Sequence, residues 1–232
     1  SSYGGNSSSV ASSLTSGVTK IYSQKAVFAA LKSDGSVVTW GSNSTGGDSS
    51  SVASSLTSGV TQIYSNQRAF AALKTDGTVV TWGYRDFGDS SSVASSLTDV
   101  ISITPAVTAF AALKSDGTVV TWGKDISEID YQNYDQSVAL NSGADSSLVA
   151  SSLTDVISIT ASFNYQWPQT KSAFAALKTD GSVVTWGNNS FGGDSSSVAS
   201  SLTSGVTQIY SNTNHSGAGV FAALKSDGTV VT

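Results

Sequence analysis

The chain has 232 residues, 39% hydrophobic and 12% charged, with a formal net charge of −5 and a sequence pI of about 4.6. It is long and apolar enough to bury a core, and a net-acidic chain offers no electrostatic footprint for a phosphate backbone or an anionic membrane surface. The lack of cysteine excludes disulfides and thiol chemistry, and no run approaches the roughly eighteen consecutive apolar residues of a membrane helix.

The opening SSYGGNSSSV has neither the basic nor the apolar region of a signal peptide. A phrase of the form FAALKxDGxVVT then begins at Phe28, Phe70, Phe110, Phe174 and Phe221, at spacings of 42, 40, 64 and 47 residues. The chain is five whole units, with repeat cores over 18–41, 60–83, 100–123, 156–187 and 206–232 in one domain spanning 1–232. The seam lacks only about three residues of the repeat, so closure is expected from packing of the first unit on the fifth, with no strand shared across it.

Each unit predicts three short strands. In the second, VTQIYS (60–65) is β-branched and aromatic, FAALK (70–74) follows a few polar residues, and TVVTWG (78–83) follows an Asp-Gly pair. That pair predicts a type I′ hairpin with positive φ at both Asp76 and Gly77. Apolar residues on both alternating faces of FAAL and VVTW predict strands covered on both sides, as blades flanked by blades would be. Trp40, Trp82, Trp122 and Trp186 recur at one repeat position and are expected to pack in the core. The serine-rich DSSSVASSLTSG crosses between blades, pinned by Val52, Ala53 and Leu56 or their equivalents, with a fourth strand or a helical turn left open there. The fold class is therefore all-β, a five-bladed β-propeller with three antiparallel strands per blade.

Within ALKSDGSVVTWG, the residues Leu31, Asp34, Gly35, Val37, Trp40 and Gly41 stand in the order of the repeat phrase LALxxDGxVxxWGxNxxGQ. The chain thus resembles the RCC1-like propeller repeats, in particular the short-repeat branch typified by β-lactamase inhibitor protein II. Two departures stand out: members usually carry seven blades, and the terminal GQ is here GGD or GD, as at Gly46, Gly47 and Asp48. The resemblance implies the propeller fold. It implies no particular activity, because such propellers serve as exchange factors, inhibitors and surface modules alike.

Differences between units gather after the first strand and after Trp-Gly. The first set comprises 23–27, 65–69, 104–109, 160–173 and 211–220; the second comprises 42–47, 84–88, 124–144 and 188–193. Strand parity puts both at one end of each blade, opposite the near-constant Asp-Gly turns. The candidate binding residues are Tyr84, Arg85, Asp86, Phe87, Tyr131, Tyr134, Phe163, Tyr165, Trp167 and His215. No catalytic residue is assigned: His215 is the sole histidine, Glu128 the sole glutamate, and Asp125, Glu128, Asp130 and Asp135 lack EF-hand spacing. No phosphate loop, metal site or cofactor is read. Asn43-Ser44-Thr45, Asn188-Asn189-Ser190 and Asn214-His215-Ser216 match the glycosylation pattern.

The expected function is a non-catalytic binding module, extracellular or on a bacterial surface, gripping a protein or glycan through the variable loops. The competing expectation is a spacer or shielding unit of a longer repetitive surface protein, with no dedicated ligand. No nucleic acid partner and no membrane insertion are expected, and a monomer is favoured.

Overall fold

The structure, a computed structural model, describes residues 4–124, 143–164, 171–212 and 219–232, with the side chains of Arg85 and Asp86 excepted. Fifteen strands form among them. β1 is Val18–Gln24, β2 Val27–Lys32, β3 Val37–Gly41, β4 Val60–Ser65, β5 Ala69–Lys74, β6 Val79–Gly83, β7 Val100–Pro105, β8 Ala109–Lys114, β9 Val119–Gly123, β10 Val156–Asn164, β11 Lys171–Lys178, β12 Val183–Gly187, β13 Val206–Asn212, β14 Val220–Lys225 and β15 Val230–Val231. They make five three-stranded sheets, each in chain order. These are the five blades expected of an all-β, five-bladed propeller, and no blade has a fourth strand among the described residues. The chain groups into two compact units, Ser1–Ile103 and Thr104–Thr232.

The serine-rich crossing is a 3₁₀ segment in every repeat: Ser8–Leu14, Ser50–Leu56, Ser91–Ser96, Ser147–Ser152 and Ser196–Leu202. Asp48 opens one of these by accepting from the amide of Ser50 at 2.9 Å, and Asp89, Asp145 and Asp194 repeat the contact. Serine and aspartate compete with the backbone for its hydrogen bonds, which suits a short tight turn better than an α-helix. Leu56 is buried and Val52 packs beside it on the cluster formed by Ala29, Leu31, Val60, Ile63 and Phe70. Ala53, expected as a third pin, is exposed. Its single methyl group has little apolar surface to bury, so its exposure costs little.

The middle strand of each blade carries the core. Ala69, Phe70, Ala71 and Ala72 are all 0% exposed, so both faces of β5 are covered. The third strand departs from expectation: in β6 Val79, Val80 and Thr81 are only half-buried and Trp82 alone is buried. An edge strand lacks the neighbour that covers a central one. The first strand buries Val60 and Ile63, three residues apart, because a bulge between Val60 and Gln62 shifts the register; β1, β10 and β13 carry the same irregularity.

The Asp-Gly turns are not type I′. Gly35 donates to the Lys32 carbonyl at 2.9 Å while Lys32 donates to the Ser36 carbonyl at 2.9 Å, so the loop is Ser33-Asp34-Gly35 and only the glycine has positive φ, at 75°. That is a three-residue hairpin loop closed by a glycine bulge. Asp34 stays at negative φ because its carboxylate has another use: Oδ1 accepts from the Ser36 amide at 2.9 Å and from its hydroxyl at 2.6 Å. The same pair of bonds recurs at Asp76, Asp116, Asp180 and Asp227. The turn also meets the next blade. Val60 donates to the Gly35 carbonyl, Val100 to Gly77, Val156 to Gly117 and Val206 to Gly181, each at 3.0 Å.

Candidate binding face

Within four of the blades the two variable connections are joined at the end opposite the Asp-Gly turns. The first residue after the third strand donates its amide back to the first hairpin: Ser42 to Ala26 at 3.0 Å, Tyr84 to Arg68 at 2.9 Å, Lys124 to Thr108 at 3.1 Å and Asn188 to Ser172 at 2.9 Å. A glycine makes this return possible. Gly83 sits at φ 123°, and a Cβ there would lie 2.6 Å from the Arg68 carbonyl oxygen. Strand parity and hydrogen bonding therefore agree on a common end for both segments of a blade.

Side chains then lock the segments together. Asn66, 3% exposed, accepts at Oδ1 from the amides of Arg68 (3.0 Å) and Ala69 (2.8 Å), and donates from Nδ2 to the Phe87 carbonyl at 2.7 Å. In the first blade Gln24 Nε2 does the same to the Thr45 carbonyl at 2.5 Å. Thr45 and Phe87 hold one repeat position, directly before a glycine. Thr108 Oγ1 donates to the Lys124 carbonyl at 3.0 Å in the third blade.

The second blade carries the most fully described surface. Tyr84 is 38% exposed and meets Phe87 edge-on, with ring centroids 5.6 Å apart. The Arg68 guanidinium carbon lies 5.3 Å from each ring centroid, a cation–π arrangement on both. Lys25, exposed on the first blade, has its pKa lowered, by partial burial first and then by the positive charge of Arg68. Two cations and one exposed phenol thus share this end of the first two blades, on a chain that is acidic overall.

Phe87 is corrected as a contact residue. It is 4% exposed, a plug beneath the loop, because the position before glycine points inward; Phe191, at the equivalent place in the fourth blade, is likewise buried at 5%. The 160–173 segment, read from sequence as a loop, is partly strand: β10 and β11 continue their ladder through Ala161↔Phe174, Ser162↔Ala173, Phe163↔Ser172 and Asn164↔Lys171. Phe163 is half-buried and packs on the cluster that includes Ala106, Phe174 and Trp186. Arg85 and Asp86 lie in a four-residue helix, Arg85–Gly88. Tyr131, Tyr134, Tyr165, Trp167 and His215 lie outside the described residues, as do Asp125, Glu128, Asp130 and Asp135. Sequence reasoning does not single out Gln24, Asn66 or Arg68. Their signal is position: Gln24 closes the first strand, and Asn66 and Arg68 lie in the short connection from the first strand to the middle one.

Among the described residues no group of three or more His, Cys, Asp or Glu is placed to hold a metal ion, and no helix is long and apolar enough to cross a membrane.

No protein-family model matches the chain, and no curated protein matches it in sequence. Solved structures do match in fold. Human WBSCR16 aligns at 18% identity and TM-score 0.47, over 92% of this chain and 60% of that one. Yeast RCC1 (Prp20), solved bound to Kap60, aligns at 16% identity and TM-score 0.46, over 92% and 55%. The CRINKLY WD40 ectodomain of the Arabidopsis thaliana receptor kinase ACR4 aligns at 13% and 0.46, over 92% and 64%. The chain therefore spans less than two thirds of the length of each. The repeat phrase in all five units is similar to that of the RCC1-like propeller repeats, and each unit builds one three-stranded antiparallel sheet.

Proposed function

We propose that the chain is a non-catalytic binding module whose variable end takes an anionic group on a protein or glycan partner. The observation that carries this reading is the exposed Tyr84 ring seated over Arg68, with the exposed Lys25 in the corresponding turn of the first blade. A cation held against aromatic faces is already partly desolvated and oriented, so it loses little freedom on pairing with a carboxylate or sulfate. Rigid aromatics flanked by small polar residues are also the composition of loops that bind. The side-chain locks from Asn66 and Gln24 support the reading by fixing the loops in advance.

The test is an array of acidic and neutral glycans and peptides probed with the native chain and with Lys25→Ser, Arg68→Ser and Tyr84→Ser. Retention on acidic members, weakened by each substitution and by salt, supports the proposal. Binding that ignores all three substitutions overturns it. A chain that binds nothing on the array favours the spacer alternative.

A further inference from the structure

The variable turn that follows Trp-Gly has one geometry in the first and fourth blades. In the first, the Ser42 carbonyl accepts from the amides of Thr45 at 3.2 Å and Gly47 at 2.9 Å, so Asn43 and Ser44 form the tip. In the fourth, the Asn188 carbonyl accepts from Phe191 at 2.9 Å and Gly193 at 3.0 Å, so Asn189 and Ser190 form the tip. Ser42 and Asn188 therefore hold one position. Each caps a three-residue 3₁₀ turn with extended backbone, φ −69° and ψ 119° in the first blade, φ −72° and ψ 125° in the fourth.

An Asn-X-Ser/Thr sequence stands in both turns, one residue out of step. At Asn43-Ser44-Thr45 the asparagine is on the tip, and at Asn188-Asn189-Ser190 it is on the cap. The shift changes what each carboxamide is free to do. Asn43 is exposed, and no hydrogen bond engages its carboxamide among the described residues. The Thr45 hydroxyl makes one long bond, donating to the Ser42 carbonyl at 3.5 Å. Asn188 is half-buried, and its Oδ1 accepts from the Ser190 amide at 3.0 Å, the bond of a capping side chain. Asn189 is exposed, but the residue two places on is Phe191, which is buried and has no hydroxyl. Asn214-His215-Ser216 lies outside the described residues.

We infer that Asn43 is an attachment site for an N-linked glycan on the folded chain, and that Asn188, with the same sequence pattern, is not. The co-substrate is a sugar activated as a diphosphate ester. The Asn43 amide nitrogen bonds to the anomeric carbon, the bond from that carbon to the diphosphate oxygen breaks with its electron pair leaving on the oxygen, and the nitrogen gives up one proton. A transferase must grip the carboxamide and read the hydroxyl two residues on. An exposed, unbonded carboxamide turns into that grip at little cost. At Asn188 the same grip requires breaking the capping bond and lifting a half-buried side chain, and both raise the barrier. This site is independent of the anionic surface at Tyr84, since its occupancy is read as covalent mass.

The experiment treats the folded 232-residue chain with a soluble N-glucosyltransferase and UDP-glucose, and follows hexose addition by peptide-mapping mass spectrometry. Asn43 is expected to gain a hexose at least about fivefold faster than Asn188. Ser190→Thr gives both sequons the same hydroxyl residue and should preserve that preference. Synthetic peptides spanning 39–48 and 185–194, the second with the same Ser190→Thr change, should react at similar rates because neither is folded. Ser42→Asn combined with Thr45→Val moves the sequon back one residue, onto the cap of the first blade, and should slow transfer there to the rate at Asn188. Equal rates at Asn43 and Asn188 in the folded Ser190→Thr chain overturn the assignment. So does an absence of hexose on Asn43, or a peptide pair that shows the full preference without the fold.

Discussion

The Asn66 side-chain amide donates to the Phe87 carbonyl at 2.7 Å, tying a residue at the start of one variable segment to a residue 21 positions on in the other. The same carboxamide closes its own turn by accepting from the amides of Arg68 and Ala69. Asn66→Ala leaves these three buried groups without the side chain that pairs them, so a loss of about 1–3 kcal/mol is expected in denaturant unfolding. Asn66→Asp retains the acceptor and loses the donor, and should fall between alanine and the native residue.

Tyr84 and Phe87 are neighbours in one loop with opposite expectations. Phe87→Ala removes a side chain that is 4% exposed and should cost about 3–5 kcal/mol of stability. Tyr84→Ser, at 38% exposure, should leave the thermal midpoint nearly unchanged while weakening retention of acidic ligands. Thermal unfolding and ligand retention measured on both variants separate a plug from a contact.

Gly35 and Gly228 have similar backbone conformations, φ 75° and 83°, in different surroundings. A Cβ at Gly228 meets nothing within 4 Å, so Gly228→Ala should cost about 1 kcal/mol, the strain of the left-handed region alone. At Gly35 the Cβ would lie 2.6 Å from the amide nitrogen of Gly59 in the next blade. Gly35→Ala should therefore destabilise more than Gly228→Ala, and the difference in denaturant midpoints reads the contribution of the blade joint. Equal losses would show that the close approach relaxes freely.

Acid should unfold the protein through its turns. The Ser36 hydroxyl and then its amide hold the Asp34 carboxyl below its usual value; Ser or Thr does the same for Asp76, Asp116, Asp180 and Asp227. Amide donation first, then the hydroxyl, lowers Asp48, Asp89, Asp145 and Asp194. A carboxyl whose folded pKa is depressed contributes stability that is complete above its unfolded pKa of about 3.9 and is lost as pH falls through the folded value. The thermal midpoint should be flat from neutral pH to about 5 and fall below about 4. Asp34→Asn combined with Asp76→Asn should flatten that decline.

The blades were legible because repetition converts weak local signals into five concurrent ones. Val60 and Ile63 at a spacing of three contradict strand alternation, yet the same spacing in every unit marks the bulge. The turn type was misread because the Asp-Gly rule considers backbone permissiveness alone; the Ser or Thr two residues after each aspartate was the sign of a carboxylate engaged with the backbone. Comparison between units identified the variable segments, and aromatic content within them could not sort contacts from core. Phe87 and Phe191 align before a glycine, and that alignment, more than hydrophobicity, separates buried anchors from the exposed Tyr84. The added length at 160–173 looked like loop because it departs from the repeat, although a lengthened hairpin absorbs extra residues in register and pairs them.

The bond from Val60 to the Gly35 carbonyl, repeated at Gly77, Gly117 and Gly181, pairs an acceptor at the turn of one unit with a donor where the first strand of the next begins, at four successive junctions. A unit is thus complementary to its own copy. Tandem duplication of such a segment creates a compatible junction at the moment it occurs, with no further substitution needed to weld the copies. The plug and socket lie at the constant end of the repeat, away from the far end of each sheet where the units of this chain differ.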